Sequence, residues 1–187
     1  MKPIRLVVRE YPAPQGSKVP FVRADGRAGM REQTTNTLGA WRAAVYNTAL
    51  QISRCQCGEP GCTAMSEGFP ITGACSLRAV FSFRRPQAHY RTGRFSSRLR
   101  DDAPLRPTSG NIGDWDKLLR STCDSLKAAG LVKDDRQFSE SGRVAKVWCG
   151  EDPESLPVPG AILVVELVPD RRGQVPVERA QTVDGLF

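Results

Sequence analysis

At 187 residues the chain has the length of one domain with a proper hydrophobic core. Its 27 lysines and arginines against 20 aspartates and glutamates leave a formal net charge of +7, which suits a negatively charged partner such as nucleic acid. A single histidine, His89, argues against His-triad, zinc-hydrolase and His-metal nuclease chemistry. The lack of a membrane-length apolar run or a signal-peptide core predicts a cytoplasmic protein with no membrane attachment.

Residues 4–9 read as a first strand. The following Tyr-Pro-Ala-Pro-Gln-Gly-Ser-Lys is a loop, because two prolines and a glycine leave no room for regular structure. Lys18 at its end is a candidate phosphate contact, with a solvated loop lysine as the alternative. Asp25-Gly26 predicts a hairpin turn. From Thr34 or Thr35 as N-cap, Leu38, Trp41, Val45, Ala49 and Ile52 recur every three or four residues. That spacing predicts a first helix, with Trp41 in the core rather than on a base-stacking platform.

Cys55, Cys57 and Cys62 fall within eight residues, and Cys75 follows thirteen residues later. In a cytosolic protein this clustering points away from disulfides, and four thiolates could complete a tetrahedral structural zinc site. The Cys-x-Cys spacing differs from the usual Cys-x₂-Cys knuckle, so reduced loop cysteines are the alternative. Residues 54–75 read as a Cys-rich insertion. Cys123 and Cys149, on helix and strand patterns, read as buried apolar residues.

Cys75, Leu77, Ala79, Phe81 and Phe83 alternate with polar residues, which predicts a half-buried strand. Residues 84–112 then carry seven arginines together with Tyr90 and Phe95, and lead into Asp114. Arg91, Arg94 and Arg98 are candidate DNA contacts, since cations interleaved with aromatics suit a phosphate-tracking loop. A solvated, partly disordered charge run is the alternative.

Asp114 and Asp116 open the next stretch, and Asp134 and Asp135 close it. Between them Leu119, Cys123 and Leu126 recur at helical spacing, and Gly130 stands where a C-cap glycine belongs. One acidic residue at a helix N-terminus reads as a cap, but four bracketing one helix are not explained that way. From Asp116 to Ala129 the helix would rise about 20 Å, and the residues from Ala129 to Asp135 extend about 20 Å at most. The second pair therefore rejoins the first only if the chain doubles straight back; otherwise another element or another subunit completes the cluster. Converging carboxylates repel unless a cation neutralises them. Oxygen-rich sites suit Mg²⁺ or Mn²⁺, for which phosphoryl transfer is the natural chemistry.

Residues 143–149 predict a strand containing Lys146, residues 153–159 a Pro-rich loop, and residues 161–168 the last and most apolar strand. Residues 171–187 read as a polar tail. The expected fold is α+β: a single domain over residues 1–170, with a mixed sheet of four or five strands and two main helices packed on it.

The stretch from Gly113 to Asp135 resembles the signature of the RusA family of Holliday-junction resolvases (crossover junction endodeoxyribonucleases). That signature runs Asp-x-Asp-(Asn/Lys)-Leu, a basic residue, Asp-(Ala/Ser)-Leu, a glycine and Asp-Asp. The resemblance implies that Asp114, Asp116 and Asp135, with Asp134 beside them, are catalytic carboxylates that bind Mg²⁺. Arg120 stands where the family has a lysine and is the candidate for the scissile phosphate, a salt bridge to Asp116 or Asp124 being the alternative. The Pro-x-Pro loop before Lys18 and the basic Lys146 also fit the family pattern. Trp115 and the Asn-Ile-Gly before Asp114 depart from the commoner Lys-Pro-Asp-Leu-Asp wording, and the motif covers under a fifth of the chain.

The function so implied is a Mg²⁺-dependent endonuclease that resolves four-way DNA junctions by paired nicks, as a homodimer, in recombination and repair. Its setting would be the cytoplasm of a bacterial or phage-infected cell, at the nucleoid. Two rivals stand beside it: a Mg²⁺-dependent nuclease on flaps or other branched DNA, and a non-catalytic, zinc-stabilised DNA-binding module.

Overall fold

The computed structural model describes residues 2–16, 18–32, 36–57, 64–109 and 112–169. Its elements are β1 (Ile4–Val8), β2 (Lys18–Val22), β3 (Ala28–Glu32), α1 (Asn36–Ser53), β4 (Cys75–Phe83), α2 (Trp115–Ala128), β5 (Phe138–Trp148) and β6 (Gly160–Leu167). Four strands form a mixed sheet in the order β1-β6-β4-β5, and β2 pairs with β3 in a separate hairpin. The chain is thus α+β, as its sequence predicts. No helix among the described residues is long and apolar enough to cross a membrane.

The two central strands, β4 and β6, are the most apolar, as strands covered on both faces must be. On one face Leu38, Trp41, Val45 and Ala49 of α1 and Leu118 and Leu126 of α2 meet Leu77, Phe81, Leu163 and Val165 in one core. Trp41 is fully buried, its ring edge-on to Phe81 with centroids 6.1 Å apart. On the other face a smaller cluster forms from Leu156, Ile162 and Val164. Gly160 is required where β6 starts, since a Cβ there would run into the Val8 carbonyl.

β4 and β5 are parallel, so the chain between them must cross over, and α2 lies in that crossover. β5 begins at Phe138, five residues before the predicted start, because its exposed first half (Ser139 to Arg143) has no apolar alternation to read. The β4 ladder recruits that half, through register shifts between Cys75 and Ser76 and between Leu77 and Ala79.

The β2–β3 hairpin turns at Asp25-Gly26, as the sequence predicts. Gly26 N–H donates to the Arg23 carbonyl, and Arg23 N–H donates to Arg27. Only Gly26 has a positive φ, 78°. This is a three-residue loop with a glycine bulge, which costs no strain at Asp25.

The proposed N-caps Thr34 and Thr35 lie outside the described residues, as do Cys62 and residues 170–187. The Cys-rich segment is closed at its base, where Arg54 bridges Met65 and Cys55 N–H donates to the Ala64 carbonyl.

Candidate active site

α2 is amphipathic and ends as its sequence predicts. Gly130 adopts φ 71°, its N–H donates to the Lys127 carbonyl, and Leu131 N–H donates to the Leu126 carbonyl. This pair of bonds is the Schellman arrangement. A further carbonyl at this end, that of Ala129, accepts from the buried Ser53 hydroxyl of α1 at 2.8 Å.

Asp114 occupies the N-cap position of α2 but makes no side-chain capping bond. Its carboxylate is exposed and pairs with Lys117 at 3.0 Å. The Lys117 ammonium, and beyond it Lys146, hold the Asp114 carboxyl below the ordinary range. Asp116 is exposed in the first turn, and Arg120 is exposed one turn on. Asp124, offered as an alternative partner for Arg120, pairs instead with Arg42 at 3.5 Å.

Two further elements converge on this helix end. Lys146, near the end of β5, donates to the Gly113 carbonyl at 2.8 Å. The Pro-Ala-Pro loop after β1 docks on the first turns of α2: Ser121 Oγ donates to the Ala13 carbonyl at 3.0 Å, and Gln15 N–H donates to the Lys117 carbonyl at 3.1 Å. Gly113 has φ 76°, and a Cβ there would collide with the Pro14 ring. The head of α2 therefore lies near the C-terminal end of the parallel β4–β5 pair, the usual place for a site in a crossover unit. Lys18 opens β2, pairing in register with Glu32; its side chain lies outside the described residues.

The second acidic pair takes a different position. After Gly130 the chain turns back, and Asp134 caps a short 3₁₀ turn (Asp135–Gln137) in a capping box with Gln137. Lys127, in the last turn of α2, grips Asp134 at 3.1 Å and Asp135 at 3.0 Å. Arg136 first, and then Lys127, hold the Asp134 carboxyl well below the ordinary carboxylate range. Asp135 lines a cleft of about 350 Å³ with Leu119, Cys123 and Glu140. Asp116, Leu119, Cys123 and Lys127 lie on one helical stripe, so Asp135 shares the face of α2 that carries Asp116. It sits lower on that face, since Cys123 is about 10 Å along the axis from Asp116. Among the described residues no three acidic, histidine or cysteine side chains form a closed ligand group. The chain thus doubles back but stops short of the first pair.

The Asp114–Asp116 pair offers two hard, exposed oxygen donors. That fits Mg²⁺, which takes one or two carboxylates and completes its shell with phosphate and water rather than with an all-protein cage. Asp134, with both oxygens engaged by Arg136 and Lys127, acts as a cap. Cys75 is buried in the core and its thiol donates to the Gly73 carbonyl, whereas Cys57 is exposed and Cys55 half-buried. Burial, reinforced by Asp124 and Asp135, pushes the Cys123 thiol up to about 12, which makes it inert at neutral pH.

The arginine loop is more built than its composition suggests. Tyr90 bridges Leu99, and Arg91 and Arg98 are joined through their backbones. Arg91 is bound bidentately by Asp101 at 2.8 Å, and Arg100 pairs with Asp102. Arg94 and Arg98 instead stack on the Phe95 ring, at 4.7 and 5.2 Å from its centroid. Arg85 is buried, paired with Glu151 and stacked on Trp148 at 4.8 Å.

The sequence did not single out Lys127 or Lys117. The available signal for Lys127 was a lysine in the last turn of α2, eight residues before the second aspartate of Asp-Asp. No family model and no curated protein matches the chain.

Proposed function

We propose that this protein is a Mg²⁺-dependent endonuclease that nicks branched DNA, with four-way junctions as its substrate, as the resemblance to the RusA family implies. The observation that supports it best is that Asp114 and Asp116 open α2 as exposed carboxylates and Asp114 does not cap the helix. The Asp114 carboxylate is presented to solvent and to the Lys117 ammonium rather than to the backbone N–H groups of the first turn.

In this reading Asp114 and Asp116 hold the metal, which supplies an activated water and neutralises charge on the attacked phosphate. Arg120, exposed one turn below Asp116, receives a non-bridging phosphate oxygen. Lys117, paired with Asp114, would be available to the phosphate once a cation took its place on the carboxylate. Lys146 fixes the Gly113 carbonyl and so the approach of the chain to Asp114. Arg94 and Arg98, free of the carboxylates that hold Arg91 and Arg100, track the backbone of a DNA arm.

Asp135 is the third carboxylate in this proposal. Because Leu131 and Val132 are buried and paired with Ile71, the segment that carries Asp135 stays in place; its side chain turns up the stripe from Lys127, or the pair is completed from a second copy in the implied homodimer.

The test is incubation of purified protein with a synthetic four-way junction, a flap and a linear duplex, with and without Mg²⁺. Paired, Mg²⁺-dependent nicks in the junction are expected, and the duplex should stay intact. Preference for the flap would move the substrate class, and binding without nicking under any divalent metal would leave a DNA-binding module.

A further inference from the structure

Trp115 stands between the two site aspartates, where the resembled motif commonly has leucine. It is 55 % exposed, whereas Trp41 and Trp148 are 0 % and 2 % exposed. Leu118 and Thr122 follow it at i+3 and i+7 on α2, and both are fully buried. The stripe that faces the core for two turns therefore continues into a tryptophan that the core does not cover. A single exposed apolar side chain is ordinary on a protein surface; what sets Trp115 apart is its place between Asp114 and Asp116 at the head of α2. The surroundings point to the occupant. Lys117, Arg120 and Lys146 lie on the same helix end or against it, and the basic arginine loop precedes it in a chain of net charge +7. An exposed π-face on a helix end that also carries cations is what a nucleobase on a phosphate backbone requires.

We infer that Trp115 is the base-stacking residue of the proposed nuclease site: it takes the face of a nucleobase unstacked next to the scissile phosphate and thereby selects branched over linear DNA. This rests on the endonuclease reading. A base inside a continuous duplex has both faces covered, while a base at a branch point can give one up cheaply. Discrimination by branch structure, rather than by sequence, follows from that difference, since every base has a π-face.

The molecule carries its own reporter. Trp115 is the only one of the three tryptophans that is exposed, so quenching of intrinsic fluorescence on DNA binding reads this residue. In the Asp114→Asn protein, which should bind without cleaving, a four-way junction should quench and blue-shift the emission. A linear duplex of equal length should do so far less, and Trp115→Phe in the same background should abolish the signal. In the otherwise wild-type protein, Trp115→Ala should lower junction kcat/KM by about tenfold or more, Trp115→Phe should retain most of it, and thermal melting should be unchanged for both. Unchanged fluorescence on a bound junction, equal quenching by duplex, or wild-type nicking by Trp115→Ala would each overturn the inference. If the wild type neither binds nor nicks branched DNA, the endonuclease reading falls and takes this one with it.

Discussion

Arg91 and Arg94 lie three residues apart in one loop, yet their guanidinium groups are committed differently. Arg91 is held by both oxygens of Asp101, while Arg94 and Arg98 lie over Phe95. A phosphate that recruits Arg91 must displace a carboxylate and leave it unpaired, so little net charge is neutralised. One that recruits Arg94 or Arg98 releases a DNA counterion at no such cost. Alanine at 94 or 98 should therefore reduce the slope of log K against log salt by about 0.9 each, and alanine at 91 by clearly less. Junction binding titrated over a salt series checks this, and equal losses at all three positions would contradict it. The sequence identified these arginines as candidates but not their order of availability, because Asp101 and Asp102 sit in the same run and composition does not pair them.

At the scale of elements, the arginine loop is fastened to the sheet by ion pairs that join distant parts of the chain. Asp152, whose side chain is only 4 % exposed, is bound by Arg143 of β5 and by Arg106 from the loop, 46 residues away. Arg143 also pairs with Glu154, which in turn pairs with Arg78 of β4. Arg143 first, and then Arg106, hold the Asp152 carboxyl well below the ordinary carboxylate range. A depressed carboxyl contributes stability that is present above its unfolded pKa, near 3.9, and lost as pH falls toward the folded value. Asp152→Asn should lower Tm at neutral pH and flatten its fall below about pH 4. Thermal melts from pH 2 to 7 measure both, and parallel curves for the two proteins would contradict the assignment. The helices were legible because their signals are local: three-to-four spacing for α1, and Gly130 at the end of α2. The order in residues 84–109 was not, since it comes from pairs 46 and 66 residues apart, Arg106–Asp152 and Arg85–Glu151. The first half of β5 was hidden for a similar reason, its strand conformation being imposed by β4 rather than by its own polar residues.

Over the whole molecule, one crossover sets the site. A parallel β4–β5 pair forces α2 to run back along the sheet, and that return brings the Gly113 carbonyl to Lys146 and the Pro-Ala-Pro loop against the first turns of α2. The Asp-x-Asp pair and its helix could be read from the sequence. The separation of Asp135 could only be bounded by chain length, because what fixes the return is its pairing with residue 71, where Ile71 N–H donates to the Leu131 carbonyl and Lys133 N–H to the Ile71 carbonyl, with Lys127 on Asp134 and Asp135 besides. In the proposed function Asp114 and Asp116 serve a metal and a phosphate, not the helix. Asp→Asn keeps shape and capping capacity and removes the charge a hard cation needs. The decisive measurement is the Mg²⁺-dependent nicking rate of a four-way junction by Asp114→Asn and Asp116→Asn, with thermal melts of the same preparations. We expect nicking to fall by about a thousandfold or more, as for loss of a metal's electrostatic role, with Tm changed little and junction binding retained. Near-wild-type nicking by both folded variants would rule out a metal role for the pair.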